Sequence, residues 1–138
     1  LLKMSKSLGN AILLSDDADT VKKKVMGMYT DPKRLRATDP GTVENNPLWI
    51  FHDTFNQDTG WVADAKERYR AGTIGDVECK RALVEVINNF LAPIRERYSE
   101  LDGDLTYIDS VLRQGADQAN AIATKTLLAA KEALCQLI

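Results

Sequence analysis

The sequence has few of the residues that build metal centres, disulfide frameworks or histidine-based active sites. It contains two cysteines, Cys79 and Cys135, and one histidine, His52. The cysteines lie far apart and have no partner histidine cluster, which excludes a zinc knuckle and a disulfide framework. We therefore expect no metal site and two buried, reduced thiols. His52 lies among aromatic residues in "WIFHDTF", which favours a core position over a catalytic one.

The sequence also lacks an apolar run long enough to span a membrane and the pattern of a secretory leader. Its 138 residues are enough for one domain with a real core. We therefore expect a cytoplasmic protein that has no membrane partner.

Positive charge is concentrated near the start of the sequence. Residues 1–40 hold eight lysines and arginines against five aspartates, a balance of +3. Residues 41–138 hold ten basic and fifteen acidic residues, a balance of −5, and the two sum to the net charge of −2. A basic segment attracts polyanions such as nucleotides or RNA. A solvated surface of mixed charge is the alternative, and charge alone leaves both open.

Apolar residues recur at helical spacing through most of the chain. The stripes comprise Val21, Val25 and Met28; Leu48, Phe51 and Phe55; Trp61, Ala65 and Tyr69; Leu83, Ile87, Phe90, Ile94, Tyr98 and Leu101; and Leu105, Ile108, Leu112, Ala116, Ala119 and Ile122. Such stripes face a core first. No alternating strand pattern of useful length follows residue 15. The sequence predicts an all-α fold, an antiparallel helical bundle preceded by an irregular loop.

Residues 30–47 contain three of the four prolines and indicate a long irregular connection. Its cluster of Lys33, Arg34 and Arg36 could face RNA or a neighbouring domain. It could equally be solvated charge, and both readings stay open.

The segment "LLKMSKSLGN" at the start carries the chemistry. It combines two lysines three positions apart, two serines and a glycine that frees the backbone. Ammonium and hydroxyl groups are good donors to phosphate oxygens. The Walker spacing is absent, so this is not a P-loop. From residue types alone, phosphate handling and a plain basic surface loop both remain possible.

Lys3-Met4-Ser5-Lys6-Ser7 matches the KMSKS signature of class I aminoacyl-tRNA synthetases letter for letter. The following "ILLSDDADTVKKKVMGMYTDP", "DPGTVENNPLWIFHDTF", "GDVECKRALVEVINNFLAPIRERY" and "VLRQGADQANAIA" resemble the C-terminal region of bacterial tryptophanyl-tRNA synthetases in order and spacing. The resemblance spans nearly the whole chain.

The resemblance implies a role for each residue of the signature. Lys6 would act most directly on the developing pyrophosphate, Lys3 would assist, and Met4, Ser5 and Ser7 would complete the ATP contacts, with Asn10 a weaker addition. ATP, accompanied by Mg2+, and L-tryptophan would be the substrates of the full-length enzyme, a homodimer that acts on tRNA(Trp).

The resemblance also implies that the Rossmann catalytic domain is absent from this sequence. Residues 1–17 would be the signature loop and connection, and residues 18–138 the anticodon-binding-type helical domain. Candidate tRNA contacts are Lys33, Arg34, Arg36, Arg113 and Gln114. We expect the chain alone to be inactive and to bind no cofactor. The alternative is a free-standing helical module that binds RNA or another partner.

Overall fold

The computed structural model describes residues 4–32 and 34–136, and all regular structure in these ranges is helical. The α-helices are α1 (Ala18–Met26), α2 (Pro47–Phe55), α3 (Thr59–Arg70), α4 (Asp76–Asp102) and α5 (Leu105–Ala133), preceded by a short 3-10 turn at Lys6–Leu8. The predicted all-α fold class is confirmed. Two residues with predicted roles, Lys3 and Lys33, lie outside the described residues.

The chain divides into two compact units, residues 1–96 and residues 97–138. The boundary falls inside α4. The division at residue 17, between the signature loop and the helical domain, remains a prediction about the roles of these two segments. Within the described ranges, no helix combines the length and apolar character that crossing a membrane requires.

Side-chain caps determine where the helices begin. The Asp17 carboxylate accepts a hydrogen bond from the Thr20 amide at 2.6 Å and starts α1; an aspartate shortly before the apolar stripe that begins at Val21 predicts this cap. Asn46 caps α2 one residue before Pro47, which suits the first turn because it has no amide hydrogen to satisfy. Asp58 and Asp104 cap α3 and α5 in the same way.

The first unit has a core to which α1, α2, α3 and α4 all contribute. Its largest fully buried side chains are Trp49 and Tyr69, whose rings meet edge to face with centroids 5.2 Å apart, a favoured aromatic geometry. Val21 of α1 and Leu83 of α4 are completely buried in the same cluster. Val21, Tyr69 and Leu83 belong to the predicted stripes and Trp49 does not, so the periodicity located most but not all of this core.

The stripe predicted along α4 is only partly buried. Leu83 and Ile87 are buried as expected, whereas Phe90 is 48% and Tyr98 58% exposed. Lys80, a charged residue, is buried in the same helix. Pro93 lies within α4.

The apolar stripe of α5 is not a core face. No residue of this helix is buried, and Leu105, Leu112 and Ile122 are 74%, 66% and 71% exposed. The prediction that this stripe packs into a core is therefore wrong for the described residues. Helical periodicity shows that a helix has an apolar face but does not show what covers that face.

The two cysteines and the histidine have distinct environments. Cys79 is buried, and burial raises the pKa of its thiol to about 12, so it stays protonated. Cys135 is exposed, contrary to the expectation of burial. His52 is fully buried, confirming its core position. Its Nε2 lies 3.1 Å from the Cys79 carbonyl oxygen, and its Nδ1 lies 3.3 Å from the Asn56 amide nitrogen.

These contacts select the neutral form of His52. A carbonyl only accepts, so Nε2 carries the hydrogen, and Nδ1 accepts from the Asn56 amide. Burial lowers the pKa of His52 below its ordinary value of 6.5, although the Cys79 carbonyl acts in the opposite direction. We predict that the ring proton signals of this one histidine titrate in NMR with a midpoint below 6.5.

The same shift makes stability depend on pH. The unfolded chain takes up this proton as pH falls below about 6.5, while the folded chain does not until its lower pKa is reached. The free energy of unfolding should therefore decrease as pH falls through that window. A midpoint at or above 6.5 in the folded protein would contradict this assignment.

Candidate functional site

The signature segment folds into a compact turn built by its own residues. Ser5 is extended, and its Oγ accepts a hydrogen bond from the Leu8 amide at 3.3 Å and lies 3.1 Å from Ser7 Oγ. Gly9 ends the turn at a φ of 65°, and its amide donates to the Lys6 carbonyl at 3.1 Å. This left-handed conformation favours glycine because other residues carry a Cβ that is strained there. The sequence therefore specifies this turn locally.

Asn10 links the two ends of the turn. Its side-chain oxygen accepts a hydrogen bond from the Ser5 amide at 2.8 Å. Asn10 is therefore a structural part of the loop, whereas the resemblance implied only a contact with ATP for it.

The turn presents polar and cationic groups to solvent. Met4, Lys6 and Ser7 are exposed and Ser5 is partly exposed. The ammonium group of Lys6 makes no hydrogen bond and no ion pair with the described residues, so it is available to an anion. The structure thus brings Met4, Ser5, Lys6 and Ser7 together on one exposed turn. An ammonium group beside two hydroxyls suits phosphate oxygens.

Two open grooves flank the turn. One, of about 750 Å³, is lined by Met4 and Asn10 together with Tyr29, Asn46 and Phe51. The other, of about 510 Å³, lies between Gly9, Asn10 and the α1 residues Thr20, Lys23 and Lys24. Among the described residues, no group of three or more histidines, cysteines, aspartates or glutamates could hold a metal ion.

Asp16 anchors the base of the loop, between the turn and α1. Its carboxylate accepts hydrogen bonds from the Leu13 amide at 2.8 Å and from Lys24 Nζ at 2.6 Å. Burial favours the neutral carboxyl, but these donors and the positive charge of Lys24 outweigh it and lower the pKa of Asp16. The group therefore remains an anion, which stabilises the connection.

Arg34 does not face RNA, because it is buried and structural. Its Nε donates to the Asp39 carbonyl at 2.8 Å, and its Nη2 donates to the carbonyls of Ala37 at 2.7 Å and Ile74 at 2.8 Å. Its Nη1 lies 3.1 Å from an Asp76 carboxylate oxygen. With the side chain 1% exposed, the guanidinium group is out of reach of a phosphate at the surface, so this geometry contradicts the expected tRNA contact.

The same guanidinium stacks on Tyr69, 4.1 Å from the ring centroid, and the Tyr69 hydroxyl donates to Asp76 at 2.7 Å. Burial is the main reason that the pKa of Tyr69 rises to about 12. The connection is held further by the Gly41 amide, which donates to the Tyr69 carbonyl at 2.9 Å. The segment predicted to be irregular is thus irregular, but it is tied to the core of the first unit.

Three of the other tRNA candidates have accessible side chains. Arg36 is exposed in the connection between α1 and α2, and Arg113 and Gln114 are exposed on α5. Arg113 forms an ion pair with Asp109 at 2.6 Å, both side chains being more than half exposed. Their role in binding RNA stays a prediction.

Sequence patterns did not reveal Lys80, a buried cation on α4. Its Nζ donates to the carbonyls of Met26 at 3.2 Å and Met28 at 2.6 Å and to the Thr30 hydroxyl at 2.8 Å. It satisfies carbonyl groups at the end of α1, where intrahelical partners run out. The partners are at least 50 positions away, so no local pattern could have identified this contact.

Comparisons with known proteins agree with the family that the signature segment predicts. The family described as tRNA synthetases class I (W and Y) matches residues 2–92. A tryptophan–tRNA ligase from Treponema pallidum is 54% identical over 132 residues, covering 96% of this chain and 39% of that protein. One from Borreliella burgdorferi is 47% identical, covering 94% of this chain and 37% of that protein.

A solved structure shares the fold. The crystal structure of tryptophanyl-tRNA synthetase from Campylobacter jejuni superposes with a TM-score of 0.79 at 29% identity, covering 96% of this chain and 42% of that one. A second structure of the same enzyme holds ADP and tryptophan and gives the same score. The chain thus spans about two fifths of the length of the relatives it matches.

The contrast between Arg34 and Arg36 gives a direct test of the structural assignment. Arg34→Met should destabilise the protein by about 3 kcal/mol, because it leaves three carbonyls and the Asp76 carboxylate without their buried partner. Arg36→Met is the matched control and should change stability by less than about 0.5 kcal/mol. Denaturant unfolding measures both, and equal, small effects would contradict the burial of Arg34.

Proposed function

The chain belongs to the family of class I tRNA synthetases (W and Y). On this premise we propose that it forms part of a tryptophan–tRNA ligase. The reaction joins tryptophan to tRNA(Trp) in two steps. The tryptophan carboxylate attacks the α-phosphorus of ATP, and the bond to the bridging oxygen breaks to release pyrophosphate. A tRNA ribose hydroxyl then attacks the carbonyl carbon of the adenylate, releasing AMP.

The observation that carries this proposal is the exposed, unpaired Lys6 ammonium on a turn whose shape Ser5, Gly9 and Asn10 fix. In the first step negative charge grows on the departing pyrophosphate. A fixed positive charge beside it stabilises the transition state more than the ground state, and so lowers the barrier. We assign this role to Lys6, with Lys3 assisting and Met4, Ser5 and Ser7 contacting ATP, which arrives with Mg2+.

The proposal extends to the nucleic-acid partner. Arg36, Arg113 and Gln114 are the exposed candidates for tRNA contact, and Lys33 remains with them on sequence grounds. Arginine and amide groups recognise unstacked bases and phosphates. Residues 18–138 would supply this helical RNA-facing part, and residues 1–17 the ATP-facing loop. The proposal also includes that the full-length enzyme is a homodimer and acts in the cytoplasm.

We predict that the 138-residue chain alone gives no tryptophan-dependent exchange of pyrophosphate into ATP. The chain spans about two fifths of the length of its relatives, and the signature accounts only for contacts with ATP, so we expect it to lack a pocket for tryptophan. Radiolabelled exchange measures this activity. Robust exchange by the chain alone would overturn the view that it carries part of a site.

Binding of tRNA by the same sample separates the ligase from the alternative of a free-standing RNA module. Phosphate-dominated binding weakens steeply with salt. Tight, salt-dependent binding of unrelated tRNAs would favour the module. Binding that is weak and selective for tRNA(Trp) would favour the ligase.

A chimeric enzyme tests Lys6 directly. In it, this chain replaces the matching part of the Treponema pallidum relative, to which it is 54% identical. Lys6→Ala should lower kcat of pyrophosphate exchange by about a hundredfold or more, in line with the loss of a fixed charge at a developing anion. Equilibrium binding of tryptophan should not change.

The control for this variant is Lys22→Ala. Lys22 is also an exposed lysine but lies on α1, outside the signature turn. It should leave kcat within a factor of about two, since exposed single charges contribute little. If Lys6→Ala retained the full exchange rate, the role given to Lys6 would be wrong.

A further inference from the structure

A second set of contacts crosses from α4 to the base of the signature loop. Arg95 Nε donates to the Asp16 carbonyl oxygen at 2.7 Å, although the two residues are 79 positions apart. Arg95 Nη2 donates to the Asn88 side-chain oxygen at 2.7 Å. The Asn88 amide in turn lies 3.4 Å from the Ala18 carbonyl oxygen. We call these three residues, Asp16, Asn88 and Arg95, the loop clamp.

Both the side-chain carboxylate and the main-chain carbonyl of Asp16 are bound. The carboxylate is bound by Lys24 and the Leu13 amide, and the main-chain carbonyl is bound by Arg95. Asp16 therefore has little freedom to turn. It lies ten positions after Lys6, so the direction in which the chain leaves Asp16 affects where the turn carrying Lys6 lies.

Arg95 is suited to positioning rather than to a surface ion pair. Its side chain is half-buried, and its two described hydrogen bonds go to a carbonyl and an amide oxygen. A guanidinium group has a planar fork of donors, so two such bonds fix its orientation as well as its distance. A charged donor to a neutral acceptor is also stronger than a neutral pair.

We propose that Arg95 is a positioning residue for amino-acid activation, acting through Asp16 to hold the Lys6 turn where the pyrophosphate leaves. This inference rests on the proposed function. It requires that displacing the base of the loop displaces Lys6, and a displacement of about 1 Å is enough to reduce a rate by a factor of about a hundred.

The first experiment measures the loop clamp in the 138-residue chain without any ligand. Arg95→Met keeps the apolar stem and removes the donors. Amide hydrogen exchange at Leu13 and Asp16 should become at least several-fold faster, because both amides bond within the segment that Arg95 holds. Arg97→Met, a change of the same type two positions further along α4, should leave these amides unchanged. Unchanged exchange in Arg95→Met would overturn the proposal.

The second experiment uses the chimeric enzyme and separates positioning from general destabilisation. Arg95→Met should lower kcat of pyrophosphate exchange by about tenfold to a hundredfold, with tryptophan binding unchanged. Arg95→Lys should recover part of the loss, since an ammonium group can still reach one acceptor.

The Lys6→Ala background gives the decisive comparison. If Arg95 acts through Lys6, Arg95→Met should cause little further loss once Lys6 is gone, because the two effects share one interaction. An equal fold-loss in both backgrounds would overturn the positioning role while leaving the proposed function intact. An inactive chimera carrying the unaltered chain would overturn the proposed function itself, whatever the hydrogen exchange shows.

Discussion

Half-buried and buried cations that bind main-chain carbonyls support the irregular parts of the first unit. A carbonyl removed from water needs a hydrogen-bond donor, and segments between helices cannot supply one from their own ladders. Arg34 serves the connection between α1 and α2, and Lys80 serves the end of α1. Arg95 serves the chain just before α1. All three are long side chains that span the gap from a helix or loop to a distant carbonyl.

This constraint changes the meaning of the positive charge near the start of the sequence. The excess of basic residues in the first forty positions suggests a polyanion partner. Arg34 is withdrawn from that role by burial and Lys24 is paired with Asp16. Lys6, Lys22, Lys23 and Arg36 remain exposed. Fewer of these basic side chains are free to meet a polyanion than the charge count implies, and Lys6 is the one that lies on the signature turn.

The extent to which sequence could anticipate this structure follows from the range of each interaction. The caps at Asp17 and Asn46 and the Gly9 turn depend on neighbours within a few positions, and the sequence predicts the cap of α1 and a loop where the turn lies. The core positions of Trp61, Ala65 and Tyr69 follow from helical periodicity, with Trp61 packed against the cluster and the other two inside it. The contacts of Arg34, Lys80 and Arg95 join residues up to 79 positions apart. One sequence cannot pair such residues, because a buried arginine and an RNA-binding arginine look the same in it.

The candidate site combines both kinds of interaction, and its function depends on their combination. Ser5, Gly9 and Asn10 shape the turn from within, so residues within five positions of one another determine its form. The orientation of the turn is a separate property. If Asp16 at the base of the loop were not held, a rigid turn could still move as a body and place Lys6 in many positions. Catalysis by a fixed charge requires that the charge be in place before negative charge develops. The chemical groups of the site are therefore specified by neighbouring residues, whereas their placement depends on α4. Arg95 of α4 binds the main-chain carbonyl of Asp16, and every residue type has such a carbonyl, so the sequence gives no sign of this contact.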